Sequence, residues 1–202
     1  MDLEDPYGIT LFEYSEARSG GTYTGGGVKL GSLGEGLSSV NMLGVGREGA
    51  WSTFGPQYRT QNTVASLQGG TQVCRTQCHD RRSIGGVRMF ADVWSNLAPE
   101  RALSGYFAYS EADASFGTRW RLWFGPADVR LGPEIQINDD RAALGAAAAL
   151  KTGVAGVDLE ISAGAVNEEH TGLGPYASLT LLRNFIIEPA PTVGPDAAPD
   201  TP

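Results

Sequence analysis

The chain has 202 residues, which is enough for one domain with a sizeable core. Its formal net charge of -8 argues against a general binder of nucleic acid or anionic lipid, because such proteins carry a basic surface. The longest apolar run, AALGAAAAL, is far shorter than the roughly 20 residues of a membrane-spanning helix.

The amino terminus, MDLEDPYG, is acidic and lacks the charged start and the apolar segment of a secretory signal. We therefore expect either a cytosolic protein or a mature chain whose signal peptide is absent. Residues 1–5 are predicted to form a short leader before the first folded segment.

Residues 6–185 fall into segments of about ten residues, separated by short clusters of Gly, Pro, Asn and Asp. Many segments alternate apolar with polar or small residues, which is the period of two that a β-strand produces. In VRLGPEIQI, Val129, Leu131 and Ile135 fall on one face, whereas Arg130 and Glu134 fall on the other. We predict twelve strands, at 6–17, 22–32, 37–47, 50–58, 63–73, 84–95, 101–111, 116–124, 129–137, 142–152, 157–166 and 175–185.

Two of these assignments depend on the rest of the chain. QYRTQNT is a poor turn, and joining 50–58 to 63–73 would leave eleven strands. A membrane barrel with both ends in the periplasm needs an even number, which favours twelve, with ten as the alternative. DDRAALGAAAALKTG reads locally as a helix capped by Asp140 and stopped by Gly153, and only its place in a series of hairpins favours a strand.

The composition of the sequence changes after Phe185. Residues 186–202 contain five prolines and no periodic pattern. They are predicted to form a disordered tail, so the barrel itself is predicted to span residues 6–185.

The alternation fits either a soluble barrel with an apolar core or a membrane barrel with an apolar exterior. The polar face carries charges of both signs, and the apolar faces contain many alanines. Aromatic residues lie near segment ends, where a membrane barrel has its aromatic girdles. These features favour an all-β fold, a transmembrane up-and-down antiparallel barrel, over a soluble one. The aromatic residues are Tyr7, Tyr14, Tyr58, Trp94, Phe116, Phe124, Tyr176 and Phe185.

Several motifs occur in a recognisable order: ADVWSNLAPE, LSGYFAYSEADASFGTRWRLWF, RLGPEIQI, RAALGAAAALKTG, VDLEISAGA and GPYASLTLL. By their order and spacing, the run from Gly85 to Phe185 resembles the cellulose biosynthesis protein BcsS family of Gram-negative bacteria. Members of that family are predicted outer-membrane barrels encoded with cellulose synthase. The resemblance implies a location in the bacterial outer membrane. It also implies contact with the lipid bilayer, with cellulose-synthesis components or glycan as candidate partners.

Cys74 and Cys78 are separated by three residues and followed by His79. This spacing is one residue too long for the C-x-x-C-H haem attachment pattern. Two cysteines and one histidine also fall short of a structural zinc site. We predict a disulfide that pinches a surface loop, with no metal and no cofactor.

The sequence NEEHTG brings Glu168, Glu169 and His170 together, which is the best candidate for acid–base chemistry in the chain. Adjacent residues on a loop are usually only solvated. We therefore predict no enzymatic activity and no catalytic residues, and we keep a small outer-membrane enzyme acting on lipid or glycan as the alternative.

The segment TRWRLWF (118–124) alternates arginine with large apolar residues, as expected for one strand of a barrel wall. An arginine facing lipid near the midplane costs about 2–4 kcal/mol, so Arg119 and Arg121 are expected to point into the barrel. We predict that the lumen is lined by Arg88, Asp92, Arg119, Arg121, Arg130, Glu134, Asp158 and Glu160.

Two readings of these charges remain open. The side chains either pair with one another and seal the interior, or form a polar conduit or a glycan-contacting surface. Eight strands leave an interior filled by side chains and 16 to 18 leave a channel, so the strand count is neutral between them. The leading hypothesis is an outer-membrane barrel that is an accessory or pore component of cellulose production or export. A soluble β-barrel carrier is the third hypothesis.

Overall fold

A computed structural model of the protein describes residues 6–18, 21–46, 49–74, 85–112, 114–152 and 157–188. In these residues, twelve strands form a closed antiparallel barrel in which each strand pairs with its neighbours in sequence, and β1 pairs with β12. No helix in these ranges is long and apolar enough to cross a membrane. The predicted leader at 1–5 and residues 189–202 of the predicted tail lie outside the described residues.

The predicted fold class, an up-and-down barrel of twelve strands, is confirmed. The strands are β1 (Tyr7–Arg18), β2 (Gly21–Ser32), β3 (Gly36–Gly46), β4 (Gly49–Arg59), β5 (Thr63–Cys74), β6 (Gly85–Ala98), β7 (Arg101–Ser110), β8 (Ser115–Phe124), β9 (Val129–Asn138), β10 (Arg141–Lys151), β11 (Val157–Glu168) and β12 (Gly172–Ile187).

The alanine-rich segment that resembles a helix is strand β10. It pairs along its length with β9 on one side and β11 on the other. Ala143 and Ala147 face inward and are buried, in the same clusters as Tyr176 and Trp123 respectively. Small residues are required here because large aromatic rings from other strands occupy the adjacent interior. Ladder hydrogen bonds and this packing override the local helix propensity.

The doubtful turn between β4 and β5 is organised by one side chain. The hydroxyl of Thr60 accepts hydrogen bonds from the backbone N–H of Asn62 at 3.3 Å and of Thr63 at 3.0 Å. The backbone N–H of Thr60 in turn donates to the carbonyl of Thr63 at 2.8 Å. A hydroxyl that binds nearby backbone in this way closes a turn without glycine or proline, so two strands form here.

Two Gly-Pro dipeptides, Gly55–Pro56 in β4 and Gly132–Pro133 in β9, lie in the middle of strands. Proline cannot donate to a strand ladder, and the pairing with the neighbouring strand is interrupted at both places. A Cβ on the first glycine would lie 1.9 Å from the carbonyl oxygen of Leu67, and one on the second 1.7 Å from that of Leu122. Glycine is therefore needed before each proline so that the neighbouring strand can approach closely.

The two faces of the barrel wall have opposite polarity. Large apolar side chains are exposed on the outside, for example Leu37 at 78% and Leu144 at 67%. Polar side chains are buried inside, for example Gln68 and Glu134 at 1% each. A contiguous apolar exterior around a polar interior is the arrangement of a membrane barrel.

The predicted girdle of interfacial aromatic residues needs correction at three positions. Tyr14 lies on the same face of β1 as the buried Glu16 and therefore faces inward. Trp94 faces inward, and its ring lies 6.4 Å from that of Trp123. Tyr176 is 4% exposed, and its hydroxyl donates to Glu134 Oε1 at 2.9 Å. The reason is parity: the three rings occupy positions of β1, β6 and β12 that alternate with the lipid-facing ones.

Candidate functional site

The main feature of the interior is a continuous series of charged side chains, which we call the interior ion-pair chain. It runs across one half of the barrel and connects strands β1, β8, β9, β10 and β11. Its members, in order of contact, are Glu160, Arg121, Glu134, Arg119, Glu16 and Arg141.

Arg121 is the centre of the first half of this chain. Its Nη1 donates to Glu160 Oε2 at 2.5 Å, and its Nε contacts Glu134 Oε2. Arg119, two residues earlier on the same face of β8, has its Nε 3.8 Å from the same Glu134 oxygen. Two arginines from one strand therefore share one carboxylate of the neighbouring strand.

Glu16 extends the chain across the barrel. Its Oε2 lies 3.2 Å from Arg119 Nη2, and its Oε1 lies 2.5 Å from Arg141 Nη1. Glu16 belongs to β1, which is not a neighbour of β8 or β10 in the barrel. Contacts between strands that are not neighbours can form only through the interior, so these side chains cross the lumen.

Glu134 is the most buried carboxylate of the interior ion-pair chain. Besides the two arginines, it accepts hydrogen bonds at Oε1 from Gln136 Nε2 at 2.6 Å and from the Tyr176 hydroxyl at 2.9 Å. A buried carboxylate is stable only when its oxygens are paired and hydrogen-bonded. Both oxygens of Glu134 have such partners.

The ion-pair chain balances its own charge. It contains three carboxylates and three guanidinium groups, so its formal charge is zero. A neutral network exerts little long-range attraction on passing ions, in contrast to a ring of like charges in a selective channel.

A second contact crosses the interior between β2 and β6. Lys29 Nζ lies 2.6 Å from Asp92 Oδ2, and the hydroxyl of Ser66 donates to the other oxygen of Asp92. In the same region the ring of Phe12 on β1 stacks with that of Trp51 on β4, with centroids 6.4 Å apart. The lumen is therefore spanned by side chains at more than one place.

Of the eight residues predicted to line the lumen, the ion-pair chain contains Arg119, Arg121, Glu134 and Glu160, and the other four have contacts elsewhere. Arg88 Nη1 donates to Gln72 Oε1 at 2.6 Å, and its guanidinium lies 4.6 Å from the centre of the Trp51 ring. Asp92 pairs with Lys29 as above. Asp158 accepts from Asn184 Nδ2 at 3.4 Å, and Arg130 Nη2 donates to Asn96 Oδ1 at 3.3 Å.

Sequence reasoning missed Glu16 and Arg141. The signal for Glu16 was present, because alternation along YSEAR puts Tyr14, Glu16 and Arg18 on one face of β1. Arg141 is the first residue of β10, one residue before the predicted start of that strand, and so was assigned to a turn.

The acid–base candidate NEEHTG lies at the end of β11 and in the following turn. Glu168 is 8% exposed and pairs with Arg18 Nη1 at 3.2 Å, and it also accepts from the Thr171 hydroxyl at 2.5 Å. The carboxylate of Glu168 therefore joins β11 to β1 through an ion pair, which is a structural role. In the described part of the chain, no group of three or more His, Cys, Asp or Glu side chains is arranged to hold a metal ion.

Comparison with known proteins identifies the family. The family model described as "Cellulose biosynthesis protein BcsS" matches residues 79–185, which is more than half of the chain. The chain belongs to this family. A search of curated protein sequences finds no match to this BcsS-family barrel.

Two solved structures are similar in fold to this BcsS-family barrel. The KdgM porin has a TM-score of 0.55 at 6% identity, over 87% of this chain and 99% of the porin. A chain described under "Unveiling the Mechanism Behind the in-meso Crystallization of Membrane Proteins" has a TM-score of 0.54 at 12% identity, over 89% of this chain and 84% of the other. At such identities the likeness concerns the fold alone.

The predicted disulfide would join Cys74 to Cys78, in the segment that follows β5. Cys74 is the last residue of β5 in this BcsS-family barrel, whereas Cys78 lies outside the described residues, as does His79. The disulfide therefore stays a prediction.

Proposed function

We propose that the chain is an accessory barrel of the bacterial outer membrane that acts in cellulose production, with an interior closed to the passage of a glucan chain. The family assignment supports the link to cellulose biosynthesis. The apolar exterior and the closed twelve-stranded wall support insertion in a lipid bilayer. Cellulose-synthesis components, or the glycan itself, are then the partners of the surfaces outside the membrane.

The observation that carries the closed interior is the ion-pair chain. It links β1 to β8 and β10 through Glu16, across the lumen. A polymer that moves along the barrel axis would have to separate these pairs, which would leave desolvated charges without their partners. The interior ion-pair chain has no net charge, so an entering polar polymer gains no electrostatic attraction that would offset the separation of these pairs.

We also infer a non-enzymatic role. The acid–base candidate Glu168 is engaged in an ion pair with Arg18 and a hydrogen bond from Thr171. A general base instead needs its carboxylate placed to reach a substrate proton. The enzyme hypothesis therefore receives no support from the geometry of this carboxylate.

An open conduit is the second candidate, favoured by the width of the wall. Twelve strands enclose more space than the eight-stranded barrels whose interior is filled by side chains. The two candidates differ in ionic conductance, which is measurable.

We predict that the folded protein in planar lipid bilayers produces no stable current steps of the size given by KdgM porin in the same membranes. The Glu16→Gln variant is expected to add leak current, because it removes the charge that holds Arg119 and Arg141 across the lumen and leaves Glu134 linked to its two arginines. Circular dichroism controls for retention of the barrel. Regular steps of porin size from the unmodified protein would overturn the closed interior and favour the conduit.

We predict that removal of the gene from its bacterium changes the amount or placement of extracellular cellulose, and that the intact gene restores it. The readout is glucose released by cellulase from the cell surface and from the medium. A gene that carries Leu67→Arg, a change on the lipid-facing side of β5, is the matched control and should not restore cellulose. Unchanged cellulose in cells whose parent strain contains the protein in its outer membrane would contradict the cellulose role.

A further inference from the structure

A cavity of about 370 Å³ lies at the end of the barrel that carries both strand termini, Tyr7 and Ile187. We call it the turn-end cavity, because it lies beside the β4–β5 and β6–β7 turns. The β4–β5 turn is joined to the end of β6 by a hydrogen bond from the Asn96 N–H to the Asn62 carbonyl at 2.7 Å. The cavity is lined by Asn62, Asn96, Leu97, Ala98, Pro99 and Arg130.

The charged group of this cavity is Arg130, which is 7% exposed. Its Nη2 donates to Asn96 Oδ1 at 3.3 Å, and its guanidinium lies 5.2 Å from the centre of the Trp94 ring. Its Nε and Nη1 are buried and make no hydrogen bond. An asparagine oxygen and an aromatic ring orient the guanidinium, but neither supplies the negative charge that a buried cation needs.

Arg130 differs from the three arginines of the interior ion-pair chain in its lack of a counter-ion among the described residues. Arg119, Arg121 and Arg141 each pair with a carboxylate of the interior ion-pair chain. Over the described ranges, no carboxylate lies within ion-pair distance of Arg130. A buried guanidinium with two unused donors beside a cavity is unusual enough to require an explanation.

The backbone beside the turn-end cavity departs from regular strand geometry at Asn96. The register of β6 against β7 shifts between Asn96 and Ala98, which is a β-bulge at the edge of the barrel. Bulges at barrel rims turn side chains away from the ordinary alternation and often lie next to binding sites. The shift lies directly at Asn96, the residue that holds the Arg130 guanidinium.

We propose that the turn-end cavity binds an oxyanion, a carboxylate or a phosphate group, through Arg130. The planar fork of guanidinium donors matches two oxygens of such a group, and an ionised acceptor forms stronger and shorter hydrogen bonds than a neutral one. The amide side chains of Asn62 and Asn96 offer further donors at the rim. The site stands independently of the cellulose role and of whether the lumen conducts.

The test uses the full chain, folded in a zwitterionic detergent and titrated with sodium phosphate, sodium acetate or sodium chloride at equal ionic strength. Binding to the folded state stabilises it in a saturable way that unfolding midpoints report, and calorimetric titration measures the dissociation constant directly. The unmodified protein is expected to respond to phosphate, acetate or both, beyond the response to chloride. A response to phosphate alone supports a phosphorylated ligand, such as a lipid headgroup. A response to acetate alone, or to both, supports a carboxylate.

Three variants make the result specific. Arg130→Gln is expected to weaken binding by about tenfold or more, since it removes charge-assisted hydrogen bonds. Asn96→Asp is expected to do the same by a different route, because it puts a carboxylate where Oδ1 now lies 3.3 Å from the guanidinium. Arg101→Gln, at an exposed arginine on the same end of the barrel, should leave binding unchanged.

Two results would overturn the site. One is the absence of any saturable response of the unmodified protein to phosphate and acetate. The other is a response of Arg130→Gln equal to that of the unmodified protein. Should Arg130→Gln fail to fold, Asn96→Asp decides the question alone, because it keeps every buried cation and supplies the missing anion.

Discussion

Glu134→Gln is expected to destabilise the barrel by about 3 kcal/mol, the lower end of the range for breaking a buried ion pair. The substitution keeps the shape of the side chain and its ability to accept from Tyr176, but it removes the charge shared by Arg119 and Arg121. The two arginines retain Glu16 and Glu160, which is why the loss is not larger. The free energy of unfolding is measured by denaturant titration in detergent or lipid vesicles.

Glu160→Gln is the matched control for this prediction. Glu160 is the end member of the ion-pair chain, and its side chain keeps 19% of its surface exposed, against 0% for Glu134. Solvent screens a partly exposed pair, so we expect a loss of about 1 kcal/mol or less. Equal losses for the two variants would show that burial of Glu134 does not make it the centre of the network.

Leu67→Arg is expected to destabilise the inserted barrel by about 2–4 kcal/mol and to lower the yield of inserted protein. Leu67 lies near the middle of β5, and its side chain is 55% exposed on the outer face. Near the midplane an arginine must leave water and cannot reach the interface easily. The measurement is the free energy of unfolding from lipid vesicles, together with the fraction of protein that inserts.

Val73→Arg is the control on the same strand and the same face. Val73 is 57% exposed, almost the same as Leu67, but it is the penultimate residue of β5. At the interface the cost of arginine falls to about 0–1 kcal/mol. If both variants lose the same stability, depth in a bilayer is not what distinguishes them, and the assignment of this face to lipid fails.

The strands themselves were largely predictable because side-chain direction is a local property of a strand. In TRWRLWF, Trp120 and Phe124 are 40% and 44% exposed outside, whereas Arg121 and Trp123 are buried inside, as alternation requires. The segment β10 was the exception. Its local composition favours a helix, and only its pairing partners and the aromatic rings beside it make it a strand.

Four of the six members of the interior ion-pair chain were predictable from the sequence, but the connections between them were not. Alternation identified Arg119, Arg121, Glu134 and Glu160 as residues of one face of their strands. The role of Glu16 could not be read in the same way, because its partners lie on strands that are more than 100 residues away in the sequence. Similarly, nothing in RLGPEIQI distinguishes Arg130 from the arginines that have a carboxylate.

The sequence by itself determined the all-β fold class and, in most strands, which charged side chains face inward, since both follow from a period of two. Only the tertiary structure decided which inward charges meet. Closure of β1 against β12 sets which strands face one another across the lumen, and that geometry brings Glu16 to Arg119 and Arg141 while it leaves Arg130 beside a cavity. Partners across a barrel are a property of the closed wall as a whole, so no single strand contains them.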